Sequence, residues 1–521
     1  MIGGLVLGLV VLGFFVYRMF FTGGCSDLYC EADDEIAAPG GFEFATALYE
    51  RTGEPPAEGS AVYLEVPLAS EEGDNRSLAF FGYDSSTASW QALTAASEVA
   101  DTTDVSGTLA TTPQYIAVLR RLSKAGQVVA YLDAGATLHG DAAGRITILH
   151  TRDFTPLGDG NLAGIATTVT RDPSFEFVPS ISANAANGLP VVTSLLGSGT
   201  QRSAHVRAIV ATADAAQLDG VDIAYLDLPA DQRASFTLFV IELAQALHGK
   251  GKILTLTLPA PAKSAQGYNE GAYDWAELAK HADLVQLLPY PDPGSFRLDV
   301  PGLFEYLTSR VDPARLVMTV TPLATEKAPD GTLRAMTIVE AMTIASRLQI
   351  DATALEVNNN YSVVGVNIDK AARRSGVSWS PETATVFFTY DDGGGRTVYI
   401  ENVFSVGFKL EYIPRFELGG VAIQDASGNP YLGNIWPALI PFIETGTPSL
   451  AQPNPADLAP VWDKTGGTLD ANTRGTARWT APAQPGTYSI FLILSDGVAL
   501  FQNELTVTVQ PRQQPGTSSG G

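Results

Sequence analysis

Two cysteines in 521 residues rule out a disulfide framework, and both, Cys25 and Cys30, stand in one short stretch, "GGCSDLYCEADDE". They can form one small local disulfide in an oxidising compartment, or remain two thiols. There is no C-x-x-C pair and only five scattered histidines, so no Cys/His set has zinc spacing and no structural metal is expected. Charge is sparse, at 17% of residues, and one-sided: 32 Lys+Arg stand against 56 Asp+Glu, a net charge of −24. That balance offers no basic face to a phosphate backbone, so nucleic acid is excluded as a partner. Glycine is plentiful, at 50 residues, yet none of it forms a G-x-G-x-x-G or G-x-x-x-x-G-K loop behind a strand. Dinucleotide and P-loop readings fall away with it, and no cofactor is expected.

What the chain does have begins at its N-terminus. "IGGLVLGLVVLGFFVY", residues 2–17, is unbroken by charge, and Arg18 is followed by "MFFTGG". As a helix the run to Phe21 covers about 30 Å, the hydrocarbon thickness of a bilayer. Nothing basic precedes it, unlike a cleaved signal peptide. The expectation for residues 1–22 is a retained single-span membrane anchor, the alternatives being a cleaved signal and a lipidated Cys25. The bulk of the chain then lies on the extracytoplasmic side.

Residues 23–41 read as a polar linker. Residues 42–140 carry short, turn-punctuated runs such as "SAVYLEVPL" and "YIAVLRRL", the pattern of a small β-sandwich. From about 145 the texture changes. "ITILHT", "FEFVPSIS" and "LPVVTSLL" read as β-branched runs, followed by "RSAHVRAIVATADAAQ" as a helix, "GVDIAYLDL", and "RASFTLFVIELAQALHGKG" as an amphipathic helix with a glycine stop. "ILTLTLP", "LVQLLPY", "RLVMTVTPL" and "LGGVAIQDA" continue the alternation. Such β-α alternation over residues 141–450 predicts an α/β fold, a (β/α)8 TIM barrel. Residues 322–417 are too long for a loop and are expected to be a folded α+β insertion before the last strand. Residues 451–511 read as an immunoglobulin- or PKD-like sandwich with Trp462, Trp479 and Tyr488 in its core, and 512–521 as a disordered tail.

The stretch "QLDGVDIAYLDLP", residues 217–229, looks at first like a strand presenting carboxylates in turn. With the helix behind it, with "YDWAELAKHADLVQLLPYPDPG" and with "TYDDGGGRTVYIENVFSVGFKLEYIPRFELGGVAIQDASG", it resembles glycoside hydrolase family 18, nearest the bacterial spore-germination and cortex-lytic branch. The resemblance spans roughly residues 145–445 and implies a TIM barrel with the signature D-G-x-D-x-D-x-E on its fourth strand. In that family the Glu protonates the glycosidic oxygen and the preceding Asp orients the substrate's N-acetyl group, whose carbonyl oxygen is the nucleophile. Here Asp219, Gly220 and Asp222 match, but Ala224 replaces the helper Asp and Leu226 the acid. Leucine has no proton to give. The family's M-x-Y-D becomes Leu288-Pro289-Tyr290-Pro291, with Asp292 displaced by one, and its sugar-stacking Trp becomes Gln424.

The resemblance therefore implies a barrel that has lost its hydrolytic groups. The expected function is a membrane-anchored extracytoplasmic pseudo-glycosidase that acts as a scaffold or interaction module, with protein partners at the membrane surface. One alternative is a lectin-like protein that binds cell-wall glycan through the vestigial cleft, with Asp219, Asp222, Tyr225, Gln286, Tyr290, Asp292 and Gln424 as candidate contacts. The other is a working glycosidase of N-acetylated glycans with a relocated acid, Asp227 or Asp292. "VNNNYS" (357–362) reads as a solvated turn before it reads as a binding loop.

Overall fold

The computed structural model describes residues 16–20, 24–33, 36–38, 42–57, 60–69, 78–86, 89–99, 102–121, 126–170, 175–265, 267–368, 375–471 and 475–512. At its centre is a parallel sheet of barrel strands: β1 (Gln127–Asp133), β2 (Ile148–Arg152), β3 (Ser180–Ala183), β4 (Gly220–Tyr225), β5 (Ile253–Leu258), β6 (Leu284–Leu287), β7 (Leu316–Val320) and β8 (Gly420–Ile423). Each pairs with the next from β3 to β8, β8 pairs with β1, and β1 with β2. The circuit closes through one stretch of chain: Glu176–Phe177 pairs with β2, and Ser180–Ala183, just beyond it, pairs with β4. The result is a barrel-like parallel sheet of eight successive strands.

The strands are buried on both faces, as parallel strands covered by helices must be. The helix Arg233–His248 shows how the outer layer forms. Its buried residues Phe236, Phe239, Val240, Leu243, Ala244 and Leu247 recur at three- and four-residue steps, so they make one stripe against the sheet. Each such large side chain contributes about 1.5–3 kcal/mol. Helices Leu189–Gly197, Gly199–Ala215, Trp275–His281, Phe296–Thr308, Val403–Leu410 and Trp436–Thr445 complete the layer. "LPVVTSLL" is thus a helix, not a strand; Pro190 sits in its first turn, where a missing N–H is harmless. Two glycines are fixed by close approach of neighbouring strands. A Cβ on Gly220 would lie 2.3 Å from the Ile253 carbonyl oxygen, and one on Gly420 (φ 154°) would lie 2.0 Å from that of Gln127. The glycine of the Asp219-Gly220 pair is therefore required by strand packing.

The flanking units differ from the sequence expectation. Residues 1–15 and 21–22 of the expected anchor lie outside the described residues, and Val16–Phe20 is a strand paired in parallel with Ala61–Pro67, not helix. No helix among the described residues is long and apolar enough to cross a membrane. Tyr29–Glu31, expected in a linker, is also a strand, and Cys25 and Cys30 are joined in a disulfide. The two N-terminal sheets end at Tyr115–Arg121, so the barrel starts at Gln127 rather than 141.

The insertion is divided between two bodies. Ala324–Lys327, Leu333–Met336, Ser378–Ser380, Thr385–Asp391 and Gly395–Ile400 form their own five-stranded sheet against the helix Ile338–Ala345. The strands between, Leu348–Ile350, Leu355–Glu356 and Asn360–Gly365, leave it and join the C-terminal strands: Asn360–Gly365 pairs with Thr476–Thr480, and Leu355–Glu356 with Leu500–Gln510. The C-terminal sandwich is therefore completed by the insertion and does not close within 451–511. Trp479 is fully buried in it, and Trp462 and Tyr488 are half-buried.

Candidate active site at the barrel mouth

Alternation along β4 decides which of its residues face the interior. Val221, Ile223 and Tyr225 join the cluster between sheet and helices. The Tyr225 hydroxyl meets His205 Nε2 at 2.6 Å, and its ring stacks on Phe239 at 5.6 Å. Tyr225 is thus absent from the cleft in which it was expected; on a period of two it shares a face with 221 and 223.

Asp222 and Ala224 face inward. Asp222 is fully buried with no cation paired to it among the described residues, and accepts hydrogen bonds from Ser180 Oγ (2.8 Å), Thr255 Oγ1 (3.0 Å) and Thr257 Oγ1 (2.9 Å). Thr257 has one proton, and Asp222 takes it, so Tyr131 must donate its own to Thr257 Oγ1, 2.7 Å away. Tyr131 is on β1 and Thr257 on β5, so this bond crosses the interior. A second crossing links Gln286 on β6 to His150 on β2 at 3.1 Å. His150 Nδ1 lies 2.5 Å from the Val178 carbonyl, and burial holds the imidazole below its ordinary pKa. Beneath this polar layer lie Val129, Ile148, Val178, Leu284 and Val317, an apolar floor. Burial also pushes the Tyr131 phenol well up. Asp222 therefore acts as the hub of a satisfied network.

Above that layer the mouth contains no free acid on β4. Ala224 is nearly buried and Leu226, half-buried, follows the end of the strand. Asp227 has a left-handed backbone (φ 59°), is exposed, and accepts the Ala185 N–H at 3.0 Å, so its side chain ties down the loop behind β3. Asp219 is at the opposite end of the barrel, where its Oδ2 accepts the Phe177 N–H at 2.7 Å. It ties the Glu176–Phe177 strand, just before β3, to the start of β4 and is no part of a mouth.

The remaining candidates are engaged with protein. Tyr290 donates to Asp299 (3.0 Å), and burial pushes its phenol up to about 12. Asp299 is held low by Lys263, 2.7 Å away. Asp292 accepts the Gly294 N–H at 2.9 Å and is ion-paired with Lys327 of the insertion at 2.7 Å, which raises the Lys327 pKa. The Gln424 carbonyl accepts from Arg152 Nη2 at 2.7 Å, and Arg152 Nη1 meets Asp133 at 2.6 Å. Arg152 thus reaches from β2 past the Tyr131 ring (5.6 Å) to β8. Of the predicted set, the structure gathers Asp222 and Gln286 in the inner layer, and places Tyr290, Asp292 and Gln424 at the strand ends. Among the described residues, no group of three His, Cys, Asp or Glu side chains could hold a metal.

Sequence reasoning passed over Tyr131, His150, Ser180, Thr255, Thr257 and Arg152. The paired threonines of "ILTLTLP" carried a signal: two hydroxyls two residues apart in a buried strand require an acceptor in the interior.

Comparison with known proteins agrees with the barrel. The family described as Glycosyl hydrolases family 18 matches residues 160–428, just over half of the chain. Solved structures that this chain resembles include a chitinase from Chromobacterium violaceum ATCC 12472 (18% identity, 61% of this chain and 98% of that one, TM-score 0.45). The spore cortex-lytic enzyme SleL of Bacillus megaterium QM B1551 is another (16%, 64% and 78%, TM-score 0.45). A third is catalytic domain 2 of the Ostrinia furnacalis Group II chitinase (15%, 63% and 98%, TM-score 0.47). No curated protein matches. With eight parallel strands in order and the family's match over more than half its length, this chain belongs to glycosyl hydrolases family 18.

Proposed function

We propose that this chain is a non-hydrolysing member of the family, exported or anchored through its apolar N-terminal run, that serves as a scaffold or interaction module outside the cytoplasm. One observation carries the reading: Ala224, the inward position of β4 above Asp222, and Leu226, just past the end of the strand, can neither donate nor accept a proton. The strand-end contacts support it. Lys327 and Arg152 spend their charge on Asp292 and Asp133, and Asp227 is committed to a loop. Neither candidate for a relocated acid is left free. Glycan binding through the mouth is the weaker reading, because Asp219 and Tyr225 lie elsewhere and no tryptophan floors the cleft at Gln424.

The test incubates the purified chain with chitin oligomers and peptidoglycan strands and measures new reducing ends. None are expected. Turnover that Asp227→Asn or Asp292→Asn abolishes would reverse the proposal. Reciprocal pull-downs of the detergent-solubilised protein then identify its partners.

A further inference from the structure

We propose that the outward face of the C-terminal sandwich docks a basic amphipathic helix of another protein, which rests on the interaction-module reading and gives its partner a chemistry. Strands Val461–Lys464, Gly486–Ser495 and Leu500–Gln510 lie side by side and antiparallel in one sheet. Alternation sends Leu492 and Leu494 into a buried core. Phe491 and Ile493, on the other face, are half-buried and belong to no core. The register sets Val461 beside Ile493, and Asp463 and Glu504 on either side of Phe491. Leu500, one row further on, completes an apolar patch; Val461 is 55% exposed and Leu500 76%.

Single exposed apolar residues are ordinary, but four on adjoining positions mark a contact surface. Charge decides what covers it. Asp463 and Glu504 stand two strand spacings apart across Phe491, about 10 Å between Cα atoms. Glu504 accepts from the Ser489 and Thr506 hydroxyls, Asp463 accepts the Lys464 N–H at 2.8 Å, and neither carboxylate has an ion-pair partner among the described residues. A lysine or arginine laid over the phenyl ring therefore meets two carboxylates and a π-face at once. No outward position of the three strands holds a Lys or Arg. On a chain of net charge −24, a second copy docked through this face, or an anionic membrane, would set like charges together. The central strand Gly486–Ser495 has its backbone groups taken up by ladders on both sides, so the face offers side chains only and suits a helix, which satisfies its own backbone. Two residues along a strand advance about 6.7 Å and one helical turn about 5.4 Å. A basic residue, with apolar residues one and two turns later, thus meets Phe491, Ile493 and Leu500 in order.

Fluorescence anisotropy with the full chain tests this, the probe being a labelled amphipathic helical peptide of leucine and lysine. It is expected to bind saturably at one site, and the same peptide with glutamate at every lysine is not. The double substitution Asp463→Asn/Glu504→Gln should weaken binding about tenfold or more, as should Phe491→Thr. Leu500→Thr, at an exposed position, should weaken it too, and keeps the test valid if another variant misfolds. Asp231→Asn/Asp392→Asn removes the same charge from exposed positions elsewhere and should leave binding unchanged. The proposal is overturned if the lysine peptide does not bind or the glutamate peptide binds equally well. It is also overturned if the distant pair weakens binding as much as the face pair, or if sedimentation shows self-association that Phe491→Thr abolishes, which would give the face to a second copy. Each of these results leaves the reducing-end assay, and so the non-hydrolysing reading, untouched.

Discussion

Gln286 on β6 and His150 on β2 meet across the barrel interior, Nε2 to Nε2, at 3.1 Å. The Val178 carbonyl can only accept, so His150 Nδ1 carries the proton, and its Nε2 must accept from the Gln286 amide. That leaves Gln286 Oε1 buried and without a partner among the described residues. The arrangement as it stands fits a neutral imidazole, and burial shifts the His150 pKa downward, in the same sense.

Burial disfavours the charged form of His205 as well. It lies between the Gly160 carbonyl (2.7 Å) and the Tyr225 hydroxyl, and burial lowers its pKa. Both imidazoles therefore have folded pKa values below the unfolded value of about 6.5. Above that pH neither state is protonated and the two groups leave stability unchanged. Below it the unfolded chain takes up protons that the folded chain resists, so stability falls as pH falls, by at most about 1.4 kcal/mol per pH unit for each group. Urea unfolding at pH 7.5 and 5.5 should show this loss, and His205→Gln should make it shallower. An unchanged midpoint in the wild-type chain would refute the account.

Asp222 is expected to matter for stability rather than turnover. Asp222→Ala strands the hydroxyls of Ser180, Thr255 and Thr257 in the interior and should cost about 3 kcal/mol or more. Asp222→Asn keeps the volume and lets the hydroxyls reorient, so about 1 kcal/mol is expected. Thermal unfolding of the two variants separates them. Equal losses would mean that the network does not depend on an acceptor at this position.

How far this could be read in advance follows from where each signal lay. β4 to β8 were legible because each is a short apolar run bounded by turns, with a helix before the next. β1 was not, because "QVVAYLD" follows directly on sandwich strands and no α-helix separates it from β2. The inward character of Asp222 and Ala224 followed from period two, but the same rule, which places Tyr225 outward, was not applied to Tyr225, which was expected in the cleft. The partners of Asp292 and Gln424, Lys327 and Arg152, were out of reach, since both contacts join segments far apart in sequence. The pairing of Asn360 with Thr480 spans 120 residues and has no local signature at all.

Leu226→Glu alone is not expected to confer hydrolysis. A carboxylic acid placed there supplies one group, worth about 10²–10⁴ in rate when it is positioned. Ala224 still gives an N-acetyl group nothing to orient it, and Gln424 gives a sugar ring no aromatic floor. Reducing-end assays on chitin oligomers should read the same for Leu226→Glu as for the parent chain. Turnover by this single variant would mean that orientation is supplied from elsewhere in the mouth.

Truncation after residue 450 should damage the insertion, not merely remove a tail. Asn360–Gly365 has Thr476–Thr480 as one of its two strand neighbours, and Leu355–Glu356 pairs with the final strand Leu500–Gln510. Removing both partners exposes Leu355 and Val363, now buried with Trp479 and Val509, and frees the backbone groups of two strands. Asn402 loses its bond to the Asp496 carbonyl (3.0 Å) at the same time, so the helix Val403–Leu410 is released from the sandwich. Limited proteolysis should then cut within residues 346–368 of the shortened protein, while the barrel, whose strands all precede residue 424, resists. Equal resistance of that segment in both forms would show that the insertion holds its strands without the C-terminal sheets.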